Sequence, residues 1–152
     1  MRLMEEILGI ANQLFLSAAE MLENEGCVPW TAVVVTMDAS PGGYYQTQML
    51  SLAGDKEKAK NLIASGARAA NAVAVIMIGE AYMTKLTESD REKFEVIYAA
   101  LRLHDESLAI KAARIVRENG KPRMGDKISL RHAGESIMIA NILPSWSAGA
   151  HA

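Results

Sequence analysis

Glu80 is the residue whose type and place most invite chemistry. It stands late in the run Ala72 to Met83, which is otherwise almost entirely apolar. An ionised carboxylate is costly in such surroundings without a partner. Burial there would raise its pKa, a common preparation of an acid–base carboxylate. The plainer alternative is that Gly79-Glu80 ends a strand and the carboxylate reaches solvent or an arginine. Asp90-Arg91-Glu92 is a second polar group, and with Glu80 it defines a candidate small-anion or catalytic site. His104-Asp105-Glu106 could orient an imidazole or hold a cation, although a polar hairpin turn accounts for it equally. A straight strand would put His104 about 40 Å from Asp90, so those two groups would not share a site.

The remaining signals are weaker as chemistry. His104, His132 and His151 show no metal-ligand spacing, and no H-E-x-x-H occurs, so neither a metal nor a cofactor is expected. A single cysteine, Cys27, excludes an internal disulfide and a cysteine-based zinc site. It follows a helix C-terminus, where the dipole disfavours a thiolate, and a buried structural thiol is expected. The helix–hairpin–helix opening is similar to the zinc deaminase layout. That family requires H-x-E and P-C-x-x-C, which this chain lacks. Ser40-Pro-Gly-Gly43 is glycine-rich, but without a P-loop lysine or G-x-G-x-x-G it reads as a turn.

Charge is distributed unevenly. Residues 1–25 hold five Glu against one Arg. Residues 111–131 hold seven Lys or Arg against Glu118 and Asp126. Arg114, Arg117, Lys121 and Arg123 are the candidate anion-binding residues, since arginine suits bidentate contact with phosphate. The same asymmetry permits an oligomer in which one subunit's acidic helix meets another's basic strand, or simply a solvated face. The net charge of −2 disfavours a general nucleic-acid binder, leaving an RNA-associated role only through the basic segment.

The elements that must position these residues follow from periodicity. Leu3, Ile7, Ile10, Leu14, Ala18 and Met21 recur at helical spacing, with Gly26 as the stop. Trp30 to Met37 is β-branched, Asp38–Gly43 is a dense turn, and Tyr44 to Leu52 is the returning strand. Asp55 is a candidate N-cap for a second helix carrying Ala59, Leu62, Ile63, Gly66 and Ala70 on its buried side. Ala72 to Met83 reads as a central strand buried on both faces. Thr87 to Glu92 is a polar connection, and Lys93 to Leu103 is another strand. Ser107 to Glu118 can be a strand, or a helix with Ser107 as N-cap and Asn119-Gly120 as its end. The strand is favoured because a meander supplies the central strand with neighbours. Ser136 to Leu143 is a last apolar element.

The expected architecture is α+β: helix, β-hairpin, helix and antiparallel meander, with both helices packed on one face of a mixed or antiparallel sheet. Residues 1–144 form one domain and 145–152 a loose tail. Half of the 152 residues are apolar and 22% are charged, a globular rather than disordered composition. The nine methionines are expected mainly to fill core gaps. No apolar run approaches the roughly 18 residues that cross a bilayer. With no secretory leader in view, a cytoplasmic setting is expected.

Three stretches carry a resemblance: Ile78-Gly-Glu-Ala-Tyr-Met83, Asp90-Arg-Glu92, and Ile115 to Gly125. They resemble small prokaryotic and phage proteins with a strand ending E-A-W/Y-M, a polar D-R-E step and a later strand closing in an N/D-G turn. Tyr82 stands where that pattern more often has Trp. The resemblance implies a small α+β fold and no particular activity. Without a convergent catalytic set, the sequence favours a non-enzymatic module that self-associates or binds a protein partner.

Overall fold

A computed structural model describes residues 2–37, 44–86, 91–105, 107–128, 143, 144 and 146. The order is α1 (Arg2–Glu25), β1 (Thr31–Met37), β2 (Tyr45–Ser51), α2 (Lys56–Ala70), β3 (Ala74–Leu86), β4 (Arg91–Leu103), β5 (Leu108–Glu118) and β6 (Lys121–Ile128). All six strands join one antiparallel sheet in the order β2-β1-β3-β4-β5-β6. The α+β class and the meander are as the sequence leads one to expect, and Ser107–Glu118 is the strand rather than the helix.

Local chemistry accounts for the element ends. Gly26, at φ +86°, ends α1, with its N–H donating to the Leu22 carbonyl (2.9 Å). The Asp55 carboxylate accepts from the Lys58 N–H (2.8 Å) and caps α2. Asn71, in the left-handed region, closes α2 and lets the Ala72 N–H reach the Ala67 carbonyl. Asn119 and Gly120 both have positive φ, as a two-residue hairpin of the primed type requires, and they turn β5 into β6.

The helices lie on opposite faces of the sheet, not on one. α1 buries Ile7, Ala11, Phe15 and Leu22 against Val33, Val35, Ile76, Ile97 and Leu101. α2 buries Ala59, Ile63 and Ala67 against Ala32, Val34, Val75 and Met77, which point the other way. The reason is the character of β1 and β3. Ala32 to Val35 and Ala74 to Ile78 are apolar on both sides, so each side needs its own cover. Fully burying a side chain such as Phe15 or Ile63 contributes about 2 kcal/mol.

Two further expectations need correction. Trp146 is not loose: it is buried in the α2-side core, and its indole N–H donates to the Ala72 carbonyl (3.2 Å). Its large apolar ring explains the anchoring. Cys27 is exposed rather than buried, because the turn after α1 points Val28 inward and Cys27 out. Most of the apolar element Ser136–Leu143 lies outside the described residues, except Leu143, which is buried beside Trp146.

Candidate interaction edge

Among the described residues, the polar groups singled out in the sequence stand at separate levels of the sheet. The Glu80 carboxylate is half-buried and accepts the Val28 N–H (2.8 Å), so it ties the chain entering β1 to the middle of β3. Glu80 lies opposite Ile97, whereas Arg91 lies opposite Leu86 and Glu92 opposite Lys85. Six steps along a strand separate Glu80 from the level of Arg91, about 20 Å. Asp90 and the Ser40–Gly43 turn lie outside the described residues.

The basic segment is divided by strand alternation. Arg114 stands over the Phe94 ring, 4.1 Å from its centroid. Arg117 faces the α1 side and makes two hydrogen bonds to Glu95, at 2.9 and 3.2 Å. That guanidinium holds the Glu95 carboxyl below the usual carboxylate range. Arg123 pairs with Glu118 at 2.8 Å. Lys111 turns to α1, donating to the Asn12 side chain (2.9 Å) and standing over Phe15. Lys121 opposes Glu118 across the β5–β6 turn. The acidic helix also packs on its own β6, so the charge asymmetry is met at least partly within one chain. Among the described residues, no group of His, Cys, Asp and Glu could hold a metal ion. His132 and His151 lie outside them. No helix among them is long and apolar enough to cross a membrane.

What the structure does bring together is an open strand edge beside an apolar cavity. β2 is the outermost strand and pairs with β1 alone among the described strands. The Leu52 N–H donates to the Trp30 carbonyl (2.9 Å), and this pair sets the alternation of the ladder. Even-numbered residues of β2 turn their N–H and C=O groups to β1. Tyr45, Thr47, Met49 and Ser51 turn theirs outward. Their side chains share the face of Val33 and Val35, on which α1 lies.

Between α1 and this edge remains a cavity of about 310 Å³, lined largely by Leu14, Met21, Val28, Met49 and Ile78. Thr31 and Ser51 supply hydroxyls at its wall. Met49 is 67% exposed, and Met21 and Met37 are also exposed, so these methionines are not gap fillers as the composition suggested. Tyr45 marks the other end of the edge, where its hydroxyl donates to the Glu6 carboxylate. That hydrogen bond raises the pKa of the phenol.

Sequence reasoning passed over Tyr45, Thr47, Met49 and Ser51. The available signal was compositional: β2 reads Tyr-Gln-Thr-Gln-Met-Leu-Ser, a strand without charge, proline or glycine. No family model, curated protein or solved structure matches this chain.

Proposed function

We propose that the protein is a non-enzymatic interaction module that accepts an extended protein segment as an additional strand beside β2. The observation that carries this reading is the outer edge of β2, an uncharged row of outward N–H and C=O groups next to an apolar cavity. Strand addition draws affinity from main-chain hydrogen bonds and selectivity from pockets that take alternate side chains. The cavity formed by Leu14, Met21 and Met49 is such a pocket, and soft methionine side chains adapt to more than one shape. A reducing, cytoplasmic setting accompanies this reading, supported by the single cysteine.

Selection of displayed extended peptides on the protein, followed by counter-selection on Thr47→Pro, tests it. The Thr47 N–H points outward, so proline there blocks an incoming strand while sparing the β1–β2 ladder. Peptides with apolar residues at alternate positions should be enriched and should lose binding to the variant. No enrichment, or equal binding to both proteins, sinks the reading.

A further inference from the structure

We infer that the strand received by β2 is β2 of a second copy of this chain, paired antiparallel about a two-fold axis at Gln48. This rests on the strand-addition reading above and names its occupant.

Hydrogen bonding sets the register. A two-fold axis at Gln48 places Thr47 opposite Met49 and Tyr45 opposite Ser51 of the other copy. These are the four residues whose N–H and C=O groups point outward. Each becomes half of a hydrogen-bonded pair, and every outward group along β2 finds a partner. A shift of the axis to Thr47 or to Met49 leaves residues at one end of the edge unpaired.

Charge favours a like partner. A two-fold axis brings equivalent neighbourhoods together, which penalises a strand carrying net charge. β2 contains no Asp, Glu, Lys or Arg. Gln48 meets its own copy on the axis, and a side-chain amide both donates and accepts, so the pair is self-complementary. An uncharged strand offers nothing to select a charged partner over itself.

Shape adds a third argument. The register sets Tyr45 of one copy beside Ser51 of the other, at the wall of the cavity. There the edge of the other copy, with its Thr47 opposite Met49, lies over the exposed Met49 side chain. Both cavities are covered at once, as a closed two-fold assembly requires.

The test is intermolecular cross-linking combined with sedimentation. On the two-fold axis, Gln48 forms a non-hydrogen-bonded pair, whose Cα separation of about 4.5 Å suits a disulfide. With the exposed thiol removed by Cys27→Ser, the Gln48→Cys variant should give a covalent dimer under mild oxidation. Gln46→Cys, which would stand opposite Leu50 of the other copy, should remain largely uncross-linked. The parent chain should sediment as a dimer, and Thr47→Pro should weaken that dimer by about tenfold or more. A dimer indifferent to Thr47→Pro, or cross-linking equal at Gln46 and Gln48, overturns the inference. A monomer at every concentration also overturns it. If displayed peptides still bind β2 of that monomer, the strand-addition reading survives with a different occupant.

Discussion

β2 and β6 close the same sheet at its two ends, yet they differ in almost every respect that governs edge behaviour. β6 reads Lys-Pro-Arg-Met-Gly-Asp-Lys-Ile. Its pairing with β5 slips between Ala113 and Ile115, so Gly125 and Asp126 together face Arg114. Charge, proline and a bulge are the usual devices that keep an edge from recruiting another strand. β2 has none of them: it pairs with β1 in unbroken register and presents uncharged residues. Among the described residues the sheet is guarded at one end and open at the other, and the open end is the place to look for a partner.

The comparison can be broken first at β2 itself. Gln48→Pro removes an N–H that bonds to β1 and should destabilise the chain by about 3 kcal/mol or more. Thr47→Pro, one residue away, removes an outward N–H and should cost less than about 1 kcal/mol in the isolated chain. Urea denaturation of the two variants measures the difference. Equal losses would mean that the alternation of inward and outward groups along β2 is wrong.

Tyr98 probes the core between the two edges. Burial pushes its phenol up to about 12 from the ordinary 10, so the folded state favours the protonated ring. Its contribution is therefore complete below about pH 10 and is lost as pH rises from there through the folded value. The shift corresponds to about 2–3 kcal/mol. Denaturation between about pH 9 and 12 should show that loss, and Tyr98→Phe should remove it. If stability and association fall together over this range in Tyr98→Phe as well, the loss originates outside the core.

The bulge at β6 should give a comparable or smaller effect. A Cβ on Gly125 would lie 2.5 Å from Val116 Cγ2, and a β-branched neighbour yields poorly. Gly125→Ala should cost about 1–3 kcal/mol while leaving β2-mediated association intact. A change in association instead, read by sedimentation, would show that the two edges are coupled.

Much of the local structure was legible. The Asp55 cap, the Gly26 stop and the two-sided burial of Ala74 to Gly79 follow from residue type and spacing. β6 was not legible as a strand, because Pro122, Gly125 and its charges are also what a loop contains. The helix placement was misread although its clue was present: a strand apolar on both faces calls for cover on both. The site was the least legible part, because Glu80, Arg117 and Arg123 attract notice as charged residues. The structure engages each of them in a hydrogen bond to another residue of the same chain.

By itself the sequence determined the elements from α1 to β4, with the caps and turns named above, and the absence of charge from Tyr45 to Ser51. Those properties depend on residues close along the chain, whose propensities and periodicities act locally. Only the tertiary structure decided that β3 pairs with β1 rather than with β2, and so which strand of the first hairpin became the edge. That choice is made by long-range burial. β1, apolar on both faces, gains more from a central position than the half-polar β2, whose outward hydrogen-bonding groups meet no strand among the described residues.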